Sequence, residues 1–492
     1  MHDLRERTIR GGVARLCAQG VSFALRVGSL MVLARLLGPK DFGLVGMVTA
    51  FTGVLTLFRD FGLSSAAVQR ATVTDEQIST LFWINVLFGA LLCLLTVAMA
   101  PLIAAFYHEP RLFAVAAVLA IGFVFNAAGI QHSVLLQRQM RFTALALIGV
   151  VSLILGTACA IGGAMAGYGY WALVGMTVSL PFTNTIGLWL TSGWVPGMPQ
   201  RRVGIRSMMR FGATLTLNGL VVYVASNLEK VLLGRFWGVD AIGIYGRAYQ
   251  LVTIPTDNLN SVAAEVGFSA LSRLQDDPIR LKSYFLKGYS LLLALTLPIT
   301  FACAMFADDV VAVLLGPKWM AAAPIFRLLA PTVLVFAIAN PLAWLLSSIG
   351  LVGRLLKMAL VIAPIMVVGY LVGLPYGPKG VALAYSVVMT AWLIPLVIWA
   401  LQGTAIAPRD ILLAGSRPFA SSIAAAGLAY AVRAFHAHWL PLVPRLVLES
   451  GVLFVAFFGI LLFVAGQKSL YLNLLRGLTK PSATKEAGLV SA

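Results

Sequence analysis

Apolar runs of about twenty residues, separated by short polar gaps, follow one another along almost the whole chain. A bilayer-crossing α-helix needs roughly 20 mostly apolar residues. Fourteen such runs can be drawn, at 11–37, 43–59, 80–106, 112–136, 142–166, 171–193, 207–233, 239–268, 282–307, 322–347, 355–374, 380–402, 412–434 and 446–466. The pattern predicts an all-α polytopic membrane protein with about fourteen transmembrane helices. The longest gap runs from Asp60 to Ser79, so no soluble domain interrupts the series. The first run follows a short polar N-terminus and contains Arg15, Arg26 and Arg35. A cleavable signal has a short uncharged core and a small-residue cleavage site, so this run reads as an uncleaved first span.

Composition narrows the class. Of 492 residues, 60% are hydrophobic and 11% charged, and the mean hydropathy is +0.92. Soluble globular domains carry about 25% charged residues, so soluble, disordered, collagen-like and disulfide-scaffold classes are excluded. The net charge of +18 comes from basic residues set singly between apolar runs. That spacing fits loops facing anionic headgroups, with no stripe or arm for nucleic acid. With a cytoplasmic N-terminus, 23 of the 36 Lys and Arg fall in cytoplasmic loops and 7 on the opposite side. This asymmetry predicts that both termini of a multi-pass protein are cytoplasmic. Cys17, Cys93, Cys159 and Cys303 all lie in apolar runs and form no CxxC pair; they read as packing residues. No nucleophile motif, phosphate-binding loop or metal constellation is present, so no catalytic residue, metal or cofactor is expected.

The chain reads as a duplication. Leu36-Leu37-Gly38 followed by Asp41-Phe42-Gly43-Leu44-Val45-Gly46 joins spans 1 and 2, and Leu232-Leu233-Gly234 followed by Asp240-Ala241-Ile242-Gly243-Ile244-Tyr245-Gly246 joins spans 7 and 8. Gly169-Tyr170-Trp171-Ala172-Leu173 enters span 6 and Gly380-Val381-Ala382-Leu383 enters span 12. Six spans separate each pair, so the repeats are parallel, and two six-helix lobes around a central cavity are expected. The lobes are drawn at 1–200 and 201–405, with two additional C-terminal helices at 406–470 and a cytoplasmic tail at 471–492.

The six basic side chains not assigned to loops on either side are placed within spans: Arg15, Arg26, Arg35, Lys230, Arg247 and Arg327. One charge at mid-bilayer costs at least ~2.5–3.5 kcal/mol on insertion scales, so it faces a polar cavity or a partner. Arg15, Gln19, Ser22, Arg26 and Ser29 lie at helical spacing on one face of span 1. Arg26 is near the middle of that span and Arg15 about 16 Å away along it. Arg35, near the end, reaches the headgroups by snorkelling, and Arg327 is expected to do the same from span 10. Span 2 carries Thr49, Thr52, Thr56 and Asp60 on one face, with Arg59 beside them. Span 7 aligns Thr216, Tyr223, Asn227 and Lys230, with Glu229 adjacent. Span 8 aligns Arg247, Gln250, Asn258, Ser261 and Glu265, with Asp257 flanking and Pro255 expected to kink it. The polar helices 1, 2, 7 and 8 occupy corresponding places in the two repeats. Mutual neutralisation of Glu229, Lys230, Arg247 and Asp257 is the competing account of these charges. His132, beside Gln131 and near Gln137, is expected to face a loop.

Several stretches carry a resemblance. LARLLGPKDFGLVGM (33–47), DFGLSSAAVQR (60–70), TLFWINV (80–86), Phe106-Tyr107-His108-Glu109-Pro110 and Asn227-Leu228-Glu229-Lys230-Val231-Leu232-Leu233-Gly234-Arg235 resemble the bacterial polysaccharide transporter family. Gly243-Ile244-Tyr245-Gly246-Arg247-Ala248-Tyr249 and Leu315-Gly316-Pro317-Lys318-Trp319 extend the match. The family contains flippases for O-antigen and exopolysaccharide repeat units, in one superfamily with multidrug extruders and lipid II flippases.

The resemblance implies a non-enzymatic transporter that flips an oligosaccharide on polyprenyl diphosphate, for lipopolysaccharide or exopolysaccharide biosynthesis, by alternating access driven by an ion gradient. It also implies a place in the cell inner membrane, with membrane lipids, a polysaccharide polymerase and other assembly proteins as partners. An anionic diphosphate head needs cations inside the membrane, and arginine's fork of donors suits phosphate. Arg15, Gln19, Arg26, Asn227, Lys230, Arg247 and Gln250 are the expected substrate-binding residues, and Glu229, Asp257 and Glu265 the candidate coupling acids. The alternatives are a multidrug extruder of organic cations, whose cavity should favour acids over arginine, and a membrane-bound polysaccharide ligase or polymerase, which would need a large external loop.

Overall fold

The apolar runs fall on helical segments in the computed structural model, with the run at 322–347 divided between two helices and the runs at 207–233 and 239–268 sharing one. The structure describes residues 2–59, 74–200, 206–436, 440–468 and 471. Within those helices, side chains are described from Ala18 onward, except at 206–219, 221–222, 225–226, 258–263, 265–266, 268–269 and 436. Regular structure among the described residues is helical throughout: α1 (His2–Leu36), α2 (Pro39–Phe58), α3 (Asp75–Tyr107), α4 (Arg111–Arg138), α5 (Phe142–Met165), α6 (Tyr170–Ser192), α7 (Arg206–Arg273), α8 (Pro278–Met305), α9 (Ala307–Leu314), α10 (Ala322–Leu329), α11 (Pro331–Ser348), α12 (Val352–Gly373), α13 (Gly377–Leu401), α14 (Pro408–His436) and α15 (Leu442–Gly459), which continues as a π-turn over Ile460–Val464. Ten helical stretches among the described residues are long and apolar enough to cross a membrane, so the protein is a multi-pass membrane protein. One of the ten, Val352–Leu401, holds two of the predicted spans, divided by the 3-10 turn Leu374–Tyr376.

Local chemistry explains the boundaries. Gly38 ends α1, and Pro39 starts α2 at a position where its missing N–H costs nothing. The Asp41 carboxylate accepts from the Gly38 backbone N–H at 2.9 Å, so α2 begins four residues before the second apolar run. A capping box opens α3: Thr74 Oγ1 accepts from Gln77 N–H at 3.3 Å and Gln77 Oε1 accepts from Thr74 N–H at 3.2 Å. Spans 7 and 8 are the two arms of α7, broken at Gly238 alone, with φ 80° and ψ −169°. Such a conformation is open to glycine and strained for side-chain-bearing residues. Pro255 lies inside the second arm without interrupting it.

The chain packs as two compact units. The first comprises Met1–Gln250, Leu314–Ile325 and Leu356–Tyr385. In it α1 packs on α5, α3 on α4, and α4 and α5 on α6. Its core interleaves Leu44, Met47 and Val48 of α2 with Ala100, Ile103 and Tyr107 of α3, Leu112, Val115 and Leu119 of α4, and Ile242. The second unit comprises Leu251–Val313, Phe326–Leu355 and Ser386–Ala492. There α8 packs against α11 and α14, and α14 against α15. Alanines 425, 426 and 429 give α14 a flat face on which Leu453, Phe457 and Leu461 close.

The two duplicated hairpins meet inside the first unit. A Cβ on Gly43 would lie 2.0 Å from the carbonyl oxygen of Val239, and a Cβ on Gly243 would lie 2.0 Å from that of Pro39. Each glycine thus rests on the carbonyl four residues before the other, a reciprocal contact of the kind a pseudo-two-fold axis generates. Lys40 and Asp240, 4.0 Å apart, flank it.

Candidate functional site: charged and aromatic groups in the membrane helices

Arg26 is exposed near the middle of the apolar part of α1 and makes no hydrogen bond or ion pair among the described residues. On the same helix Gln19 and Ser22 are half-buried and Ser29 is buried. The predicted polar face is therefore open at Arg26 and closes one turn later. Gln19 is engaged by a neighbour. Arg15 lies on α1, but its side chain is outside the described set, as are those of Thr216, Asn258, Ser261 and Glu265; Asp60 lies outside the described residues altogether. Arg35 is exposed, as snorkelling requires.

Arg247 is held differently. Its guanidinium lies over the Phe42 ring, 4.3 Å from the centroid. Phe42 meets Trp319 edge-on at 5.3 Å, and the buried Trp319 indole donates to the Ala34 carbonyl at 2.7 Å. Arg247 Nε is buried with no hydrogen-bond partner among the described residues. Buried polar groups are nearly always satisfied, so this donor is available to a ligand or a water. The Asp-Phe-Gly and Gly-Pro-Lys-Trp stretches of the sequence thus converge on one basic side chain.

On the first arm of α7, Lys230 Nζ donates to Asn227 Oδ1 at 2.7 Å and sits 5.1 Å from the Tyr249 ring centroid. Asn227 in turn donates to the Tyr223 carbonyl at 3.0 Å. Glu229 is 1% exposed, and its Oε2 has no hydrogen bond among the described residues. No Glu229–Lys230 ion pair within 4 Å forms among the described residues. Tyr245, Tyr370 and Tyr385 are buried in the same unit. The rings form a chain, Tyr245 to Tyr249 at 6.3 Å, Tyr249 to Tyr385 at 6.2 Å and Tyr385 to Tyr370 at 6.1 Å. The Tyr245 and Tyr370 hydroxyls are buried without partners among the described residues. The sequence reading missed this tyrosine group; its one local signal was the four-residue spacing of Tyr245 and Tyr249. Gln250 is half-buried and engaged. Asp257 belongs to the second unit, where it is exposed and engaged.

Two expectations are corrected. His132 does not face a loop: it is fully buried, with Nδ1 2.8 Å from Ser192 Oγ and its ring 4.4 Å from that of Trp189. The aromatic rings of Phe82, Trp189 and Trp194 enclose an imidazole that sequence position alone put at a helix end. Arg327 does not simply snorkel; it forms an ion pair with Asp308, both half-exposed.

Helical throughout its described residues and multi-pass, the protein falls in the class of polytopic membrane proteins. A solved structure described as Lipid II flippase MurJ, inward closed conformation, shares the fold with a TM-score of 0.73, covering 95% of this chain and 100% of that one at 13% identity. The particular family follows from sequence: the chain belongs to the family described as Polysaccharide biosynthesis protein, which matches residues 32–324. Lipopolysaccharide biosynthesis protein WzxC of Escherichia coli (strain K12) is 27% identical over 353 residues, covering 70% of this chain and 71% of that protein. Teichuronic acid biosynthesis protein TuaB of Bacillus subtilis (strain 168) is 30% identical over 325 residues, 66% of each chain. The family-like stretches read from the sequence all lie within the matched region.

Proposed function

We propose that the protein flips polyprenyl-diphosphate-linked oligosaccharide units across the bacterial inner membrane for lipopolysaccharide or exopolysaccharide biosynthesis. The observation that carries this reading is Arg26: an exposed arginine with no described partner, in the middle of a membrane helix. Such a charge is costly in lipid and is retained where an anion visits it. A diphosphate supplies that anion and matches the guanidinium fork. In this account Arg15 and Arg26 hold the head, and the free Nε of Arg247 takes a phosphate or sugar oxygen. Gln19, Asn227, Lys230 and Gln250 supply further polar contacts, and the lipid tail stays in the bilayer. Residues 1–200 and 201–405 act as the two lobes of alternating access, within fourteen spans whose ends are both cytoplasmic.

Coupling is assigned first to Glu229, with Asp257 and Glu265 as the further candidates. A buried acid in one unit with buried tyrosines also suits organic cations, which is the one feature in favour of a drug extruder. Yet Glu229, Tyr245 and Tyr370 are each at most 1% exposed, so in this conformation the acid is shut off from solvent. The test is complementation of a flippase-null strain at matched expression. Arg26→Ala should abolish export and Arg26→Lys keep part of it, while Arg35→Ala should matter little. Full export by Arg26→Ala removes that residue from the substrate path.

A further inference from the structure

A second buried acid lies in the other unit, in the helices that follow the duplicated part. Glu449, in the second turn of α15, is 1% exposed, and neither carboxylate oxygen has a hydrogen-bond partner among the described residues. Its nearest cation is Arg433 of α14, whose Nη1 stands 3.9 Å from Glu449 Oε2, beyond hydrogen-bond range. That Nη1 is already committed, donating to the Met305 carbonyl at the end of α8 at 2.8 Å. The other acid, Asp309 of α9, is served better. Arg445 donates directly to its Oδ1, and Arg433 Nη2 lies 3.6 Å from its Oδ2.

Two acids therefore compete for Arg433, and Asp309 has the second arginine as well. An ionised carboxylate removed from water with no hydrogen bond is strongly disfavoured, whereas a neutral carboxyl is tolerated. The charged groups that face Glu449 are Arg433 from α14, Asp309 from α9 and Arg445 from its own helix. Asp308 is taken by Arg327, and the side chain of His436, at the end of α14, lies outside the described residues.

We propose that Glu449 is a proton-binding site: it holds a proton in this conformation, and Arg433 is the switch that either stays with Asp309 or turns to a deprotonated Glu449. Such a site gives the two added helices a part in proton handling, and it does not rest on the identity of the transported lipid.

Infrared pH-difference spectroscopy on the full chain in nanodiscs tests this. Wild type should show at pH 7 the carbonyl band of a neutral carboxylic acid, and Glu449→Gln should lose that component. Glu449→Gln should also melt at about the wild-type temperature, because the amide mimics the neutral acid. Asp309→Asn should release Arg433 and Arg445 to Glu449 and lower its proton affinity about tenfold or more. An unchanged band in Glu449→Gln would overturn the proposal. So would failure of Glu449→Gln to fold or to keep its melting temperature, because that outcome marks an ionised structural pair.

Discussion

Single residues differ here in what their surroundings let them do. Arg26 and Arg247 are both arginines in helices that the sequence predicts as spans, yet one is open and without a described partner while the other lies flat on Phe42. A cation–π contact is worth about 0.5–2 kcal/mol, depending on desolvation, and it depends on the planar guanidinium. Arg247→Lys should therefore lower the melting temperature by a few degrees, whereas Arg26→Lys should leave it unchanged; differential scanning fluorimetry separates the two. Just ahead of the apolar run at 412–434, Asp410 is bonded by Lys282 at 2.6 Å, which holds its carboxyl below the usual range. A depressed folded value means that the stabilisation is present above the ordinary carboxyl pKa of about 3.9 and fades as pH falls through the lower folded value. Asp410→Asn should remove that acid-side dependence, a loss read from melting temperature against pH. At this scale the sequence showed which charges sit in apolar runs, but not which groups meet them. The enclosure of His132 and the pairing of Arg327 depend on residues 60 and 19 positions away, a distance that local periodicity cannot see.

Among elements, the reciprocal glycine contact is the most sequence-legible feature. The repeated Leu-Leu-Gly and Gly-x-x-Gly stretches announce two equivalent hairpins, and in the structure Gly43 and Gly243 are the points where they touch. A methyl group would displace a backbone carbonyl there, and overpacking of that kind costs about 1–3 kcal/mol. Gly43→Ala and Gly243→Ala should each open the hairpin pair. Disulfide formation between Lys40→Cys and Asp240→Cys reports it, and its yield should fall severalfold in either alanine variant. Undiminished cross-linking would show that the contact is not held by the glycines. The helix boundaries were legible wherever capping chemistry set them. The single-residue break at Gly238 was not, because the apolar pattern resumes at once and hides how short the turn is. The tyrosine group draws on α7, α12 and α13, so no one helix displays it.

For the whole molecule, alternating basic loops predict cytoplasmic ends and an even number of spans. A reporter fused after Ala492 should be active in the cytoplasm, and periplasmic activity would contradict the fourteen-span topology. Family membership and the helical fold were legible because the apolar runs and the family-like stretches are both linear in the sequence. The use of the charges was not, since it depends on what they face when a ligand is present. The most direct measurement is therefore of binding by the purified chain. Polyprenyl diphosphate should bind saturably and far more tightly than an ethidium-like cation, and Arg26→Ala and Arg247→Ala should each weaken that binding at least tenfold. Tight, saturable binding of the organic cation, indifferent to both substitutions, would contradict the account.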